Sequence, residues 1–181
     1  MMYVVRCVLN SKQSTVYKLH CTTCSPTFVA MLKNLIPLNL PEPDLRLAKK
    51  DGAVMVWDDI RKKYLQLTPE EWVRQHFVHY LINLGYPRTT VALEGGFHLN
   101  QKLQRTDILI YKNGKPTLLV ECKAPQVAIS QQTFDQAARY NIHYKAPYVL
   151  ITNGLQHYSA KVDYQNQAYN FLENIPAYNE I

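Results

Sequence analysis

The chain has 181 residues, enough for one domain with its own core, and 47% hydrophobic with 19% charged residues describes a globular chain rather than a disordered one. Its apolar runs, such as Tyr148 to Ile151, are too short to cross a bilayer, and Arg6 interrupts the apolar start with no small-residue cleavage site behind it, so neither a membrane span nor a secretory signal is expected. The net charge is +6, but Arg6, Lys12, Lys18 and Lys33 fall in residues 1–33 without any acid, which leaves sixteen basic against fourteen acidic side chains elsewhere and no charge argument for nucleic-acid binding.

Residues 1–43 are expected to form a weakly structured N-terminal extension, and residues 44–181 one domain. The first segment lacks clear periodicity, Pro37, Pro41 and Pro43 break up Leu35 to Leu45, and Met31 could serve as a second initiator. Cys21 and Cys24 form a lone CxxC beside His20. A structural zinc site usually needs a second pair, and only Cys7 is near in sequence, so free thiols in a reducing cytoplasm are expected.

Asp51-Gly52 between Leu45 to Lys49 and Ala53 to Trp57 predicts a two-residue hairpin. Thr68 then suits a helix N-cap, Pro69 the first helical position, and Glu71 the third residue of a capping box. That helix should reach Leu84 with Val73, Phe77, Tyr80, Leu81 and Leu84 inward, and stop at Gly85. Strands are expected at 90–99, 106–111 and 117–122, the last two joined at Asn113-Gly114. A helix from Gln131 to Tyr144 behind Ser130, a strand over 147–152 turning at Asn153-Gly154, and short strands near 157–162 and 168–172 complete the chain. The order αβββαβ implies an α/β domain with a mixed sheet flanked by helices. No GxxxxGK[ST] occurs, so no nucleotide is expected as a ligand.

The chemistry gathers at strand ends. Asp107 opens one strand, and Glu121-Cys122-Lys123 closes the next, with Glu121 and Lys123 on one face by alternation. Such charges among Ile108, Ile110, Leu118, Leu119 and Val120 are expected only where they are paired or bind metal. Mg2+ (or Mn2+) prefers a few carboxylates together with water and phosphate oxygens. Asp107, Glu121 and the Cys122 backbone carbonyl are the candidate ligands, and Lys123 the candidate for positioning the attacking water or stabilising charge in the transition state.

A two-residue loop at Asn113-Gly114 without a bulge would set Asp107 opposite Val120, and so put the two carboxylates on opposite faces. A shared metal therefore requires an odd loop or a bulge. The expectation is a three-residue loop, Lys112 to Gly114, with Gly114 at positive φ and Asp107 opposite Leu119. Repulsion between the two carboxylates also predicts that losing either one stabilises the metal-free protein.

Asp107 followed by Glu121-x-Lys123 resembles the signature of PD-(D/E)XK nucleases, with Thr106 where the family name has proline. Thr68-Pro69-Glu70-Glu71-Trp72-Val73-Arg74-Gln75, Arg105-Thr106-Asp107, Leu119-Val120-Glu121-Cys122-Lys123-Ala124-Pro125 and Thr152-Asn153-Gly154 are similar to the N-terminal nuclease domain of type I restriction enzyme R subunits. The resemblance covers about residues 44–178 and implies a restriction-endonuclease-like fold. It also implies Mg2+-dependent cleavage of DNA, without the motor of those subunits. Gln136 and Tyr140, one helical turn apart, resemble the QxxxY motif found beside the metal site in related nucleases. Glu71 matches a family glutamate that approaches the metal, although helix capping explains it equally well.

The competing readings are an ion pair at a strand end for Asp107, Glu121 and Lys123, and an ordinary half-buried helix face for Gln136 and Tyr140. Glu94 reads as a strand polar residue or a peripheral ligand. A catalytically inactive DNA-binding or assembly module with the same fold is the alternative function. No DNA-reading motif is visible, which leaves targeting to a partner protein or a homodimer.

Overall fold

A computed structural model describes residues 32, 35–99 and 102–181, together with the backbone of residues 3–7, 9–10 and 18–19; for residues 95–99 and 102–105 it describes backbone only. Cys21, Cys24 and His20 lie outside the described residues.

The first three strands are β1 (Tyr3–Cys7), β2 (Leu9–Asn10) and β3 (Lys18–Leu19), the last two forming their own short antiparallel pair. Strands β4 (Leu45–Lys50) and β5 (Ala53–Asp58) close on Asp51-Gly52, whose φ angles of 49° and 80° are those of the hairpin turn expected there. Strand β6 (Lys63–Gln66), which the sequence did not announce, pairs with β5, and β1 pairs with β4, giving the order β1-β4-β5-β6.

Helix α1 (Pro69–Asn83) begins where Thr68 Oγ1 accepts the Glu71 N–H at 3.1 Å. The expected capping box is only half made. The Glu71 carboxylate turns inward to basic partners, and the Thr68 N–H is satisfied by the Gln66 carbonyl. The helix lies between two sheets. Val73, Phe77 and Leu81 pack on the large sheet, and Trp72 packs on Leu45, Leu47 and Val56 of the small one. It is therefore buried on more than one side from Glu71 to Val78, and amphipathic spacing reports only part of that burial.

The large sheet consists of β7 (Val91–Leu99), β8 (Lys102–Lys112), β9 (Lys115–Cys122), β10 (Tyr148–Thr152), β11 (His157–Asp163) and β12 (Ala168–Leu172), side by side in the order β12-β11-β10-β9-β8-β7. All neighbours are antiparallel except β9 and β10, which helix α2 (Gln131–Tyr144) connects. A one-turn 3-10 helix, Arg88–Thr90, leads into β7. Ile108, Ile110, Leu118 and Val120 face α1, whereas Leu109, Leu119, Val149 and Ile151 face Ala137 of α2. The αβββαβ order is thus the observed one: an α/β fold with a mixed sheet flanked by helices.

The expected boundary at residue 43 does not coincide with the packing. Leu32, Leu35 and Leu38 join the clusters around Trp72, the Trp72 indole donates to the Ile36 carbonyl at 3.0 Å, and Asn39 N–H bonds to the Gly154 carbonyl at 2.7 Å. Prolines ended the helical and strand periodicity in this stretch, but an irregular segment can still bury leucines. Among the described residues no helix is long and apolar enough to cross a membrane.

Candidate active site

The register of β8 and β9 decides whether the two carboxylates can act together. Lys112 pairs with Lys115 around a two-residue loop, with Asn113 and Gly114 at φ 53° and 74°. The three-residue loop is therefore not formed. Tyr111 then pairs with Pro116 but Ile110 with Leu118, so Thr117 is an extra residue bulged out of β9. Proline has no N–H to give the ladder, which suits a bulge beside Pro116. Thr117 Oγ1 donates to the Lys115 carbonyl at 3.0 Å. From there Leu109 pairs with Leu119 and Ile108 with Val120. Continued one step past that last pair, the register sets Asp107 opposite Glu121, since Leu119 is already paired with Leu109. The positive φ at Gly114 and the shared face are as expected; the device that produces them is different.

The end of the sheet on which they lie is crowded with charge. Asp107 forms an ion pair with Arg74 of α1 through Oδ1 and accepts the Cys122 N–H at 2.7 Å through Oδ2. Arg74 also pairs with Glu71, and with Glu70 at 3.0 Å. Lys123 donates to Glu121 Oε1 at 2.7 Å and to Gln136 Oε1 at 3.3 Å, and Gln136 Nε2 donates to the Tyr140 hydroxyl at 3.0 Å. Asp107, Glu121, Lys123, Gln136 and Tyr140 are thereby brought together from β8, β9 and α2.

Glu71 belongs to the same assembly from below. Its carboxylate meets Arg61 at 2.7 Å and Gln75 at 2.8 Å. Arg61 is itself gripped by Asp58 at 2.6 Å and lies 2.8 Å from Glu94, an ion pair without hydrogen-bond alignment. Glu94 has a left-handed backbone at φ 53°, in the gap where Leu93 pairs with Ile108 and Gly95 with Thr106. That conformation is costly in a strand, and it falls where the ladder skips the pair between Glu94 and Asp107 while keeping its register on either side. Arg74, Gln75, Asp58 and Arg61 were not singled out from the sequence. Arg74 and Gln75 fall three and four residues after Glu71, the spacing at which helical side chains meet, and that signal was available. Nothing local pointed to Arg61, which reaches the site from another sheet.

Burial raises the Glu121 carboxyl to about 7, and the charge of Asp107 adds to the effect. Burial and Asp107 likewise raise Glu70. Burial opposes a charged Lys123 most strongly, but its hydrogen bond to Glu121 and the charges of Glu121, Asp107 and Glu70 together outweigh that, and the ammonium is held above its ordinary value. Glu121 Oε2 is buried and has no hydrogen-bond partner among the described residues. An orphaned carboxylate oxygen beside a second carboxylate suits a cation, since leaving it bare costs the full desolvation of the group. Among the described residues no group of three or more His, Cys, Asp or Glu side chains is placed to hold a metal ion. Two carboxylates, with water and phosphate supplying the remaining oxygens, are what Mg2+ usually takes, so the residues fit that ion.

A family model for the type I restriction enzyme R protein N terminus (HSDR_N) matches residues 69–176. A fragment of an HsdR subunit of a type I restriction enzyme from Vibrio vulnificus YJ016 is similar in structure, with a TM-score of 0.46 and 21% identity over 63% of this chain and 24% of that one. The chain thus spans about a quarter of that fragment's length. No match is found among curated proteins.

Proposed function

Because the chain belongs to the type I restriction enzyme R protein N-terminus family, we propose that it is a metal-dependent DNA endonuclease domain acting in the cytoplasm on phosphodiester bonds. The observation that carries this reading is the register that sets Asp107 and Glu121 on one sheet face, with Glu121 Oε2 buried and unpartnered among the described residues. A surface ion pair between Glu121 and Lys123 would need neither the second carboxylate nor the orphaned oxygen.

Asp107, Glu121 and the Cys122 carbonyl would hold Mg2+ or Mn2+. When bound, the ion polarises the phosphate and makes water a stronger nucleophile. The chain's own groups do the rest. Lys123, held between Glu121 and Gln136, places an ammonium where the attacking water and the developing charge must lie. Gln136 is kept in its rotamer by Tyr140 and in turn fixes Lys123. Glu71 is a positioning residue, orienting Arg74 and Arg61 rather than touching substrate. Targeting by a partner protein or a homodimer belongs to the same proposal.

The test is incubation of single-stranded, duplex and branched DNA with the protein, with and without Mg2+ or Mn2+. Cation-dependent cleavage that Glu121→Gln and Lys123→Ala abolish supports it. Cation-independent DNA binding without cleavage by the folded wild type would establish the inactive-module alternative.

A further inference from the structure

Arg74 is the least expected member of the site. Its side chain is only 8% exposed, yet it contacts three carboxylates, those of Glu70, Glu71 and Asp107. Around it, Asp58, Glu70, Glu71, Glu94, Asp107 and Glu121 share three cations, Arg61, Arg74 and Lys123. Arg61 and Lys123 form their ion pairs with other carboxylates, so among the described residues Arg74 is the cation paired with Asp107. The Nη2 that reaches Asp107 also reaches Glu70, whose side chain is 45% exposed at the mouth of the site. The guanidinium therefore spans the distance from the buried carboxylate pair to solvent.

We propose that Arg74 is the internal counter-cation of the carboxylate pair, and that it exchanges Asp107 for a phosphate oxygen of the substrate when a divalent cation enters. This rests on the nuclease reading above. A divalent cation at Asp107 and Glu121 repels the guanidinium and takes over its neutralising role. Arg74 Nη2 then keeps Glu70 and turns its one freed N–H toward the mouth, where it donates a charge-assisted hydrogen bond to an arriving phosphodiester oxygen. Arg74 thus acts on metal uptake and on substrate binding in opposite directions. A merely structural arginine, once removed, would weaken both.

The experiment compares wild type, Arg74→Gln and Arg74→Lys by calorimetry with Mn2+ and by binding of a DNA duplex in Ca2+. Arg74→Gln should take up Mn2+ at least roughly tenfold more tightly, while its affinity for the duplex falls roughly tenfold. Arg74→Lys, which keeps the charge, should lie between the two in both assays. In the wild type, the Arg74 guanidinium resonance, identified by its absence from Arg74→Lys, should shift on addition of Mg2+; this readout needs no folded Arg74→Gln. Unchanged or weaker Mn2+ binding in Arg74→Gln, unchanged duplex binding, or a resonance that ignores Mg2+ would overturn the exchange while leaving a cutting wild type a nuclease. A wild type that takes up no cation would overturn both.

Discussion

Asp107 and Glu121 face each other across β8 and β9 because Thr117 is left out of the ladder between them. Thirteen residues separate the two carboxylates in sequence. A two-residue loop takes two of them, and the odd remainder would throw the side chains to opposite faces unless one residue were bulged.

Deletion of Thr117 is accordingly expected to preserve the site. Tyr111 would still meet Pro116 and Ile110 would still meet Leu118, now in a regular ladder, with Asp107 opposite Glu121 as before. The prediction is retained Mn2+ affinity and a stability change within about 2 kcal/mol, the usual range of a local backbone alteration. If the deletion instead abolishes Mn2+ uptake in a folded protein, the bulge is not what sets the register.

Loss of either carboxylate should not have the same effect on the metal-free protein, contrary to the expectation from simple repulsion. Asp107 holds Arg74 and the Cys122 N–H, so Asp107→Asn should cost about 2 kcal/mol or more. Glu121 is different, because its folded carboxyl is raised to about 7 from 4.5. Between those values the folded protein binds more protons than the unfolded chain, so this group's contribution to stability falls as pH rises through the window. Glu121→Gln should therefore stabilise the metal-free protein above pH 7, by up to about 3 kcal/mol, and not below pH 4.5. Urea unfolding of the three proteins in a chelator at both pH values checks the sign.

His76 predicts the opposite pH slope. Burial lowers its imidazole from 6.5 to about 4, although its Nδ1–H bond to the Trp72 carbonyl partly opposes this. As pH falls from 6.5 to 4 the unfolded chain takes up a proton that the folded protein refuses, so stability declines, by roughly 3 kcal/mol at pH 4. His76→Phe, which keeps a ring against Trp72, should remove that part of the acid sensitivity in denaturant titrations at pH 7 and pH 4. An unchanged slope would show that His76 is charged or hydrated when folded.

The N-terminal segment divides into two parts by its contacts. Deleting residues 1–30 removes β1 from the edge of β4 but leaves every described leucine of the core, and should preserve cooperative unfolding. Deleting residues 1–40 also strips Leu32, Leu35 and Leu38 from Trp72 and its neighbours and should abolish it. Gly154→Ala should destabilise through the same contact, because its φ is +81° and a Cβ there would sit 2.7 Å from Leu38. Circular dichroism melts of the two truncations and the point variant separate these outcomes.

Much of this molecule was legible in the sequence because its signals are local. Thr68 and Pro69 started α1, Ser130 stands at the start of α2 as expected, and Asp51-Gly52 turned a hairpin. Alternation put Glu121 and Lys123 on one face, where their side chains do meet. What escaped was non-local. Arg61 comes from the β5–β6 turn to grip Glu71, ten residues away in sequence and on another layer, with no periodicity to announce it. The bulge at Thr117 escaped for a different reason: parity demanded one irregularity, and a loop residue and a strand residue satisfy parity equally well. Pro116, which has no N–H for the ladder, was the local sign that favoured the strand.

Whether Asp107 and Glu121 share one metal ion is read most directly from an anomalous difference map of crystals grown with Mn2+. One strong peak is expected about 2 Å from carboxylate oxygens of both Asp107 and Glu121, its ligands including the Glu121 Oε2 that lacks a partner among the described residues. A map with no peak there, or with Mn2+ bound only elsewhere while Arg74 still holds Asp107, would contradict a shared ion.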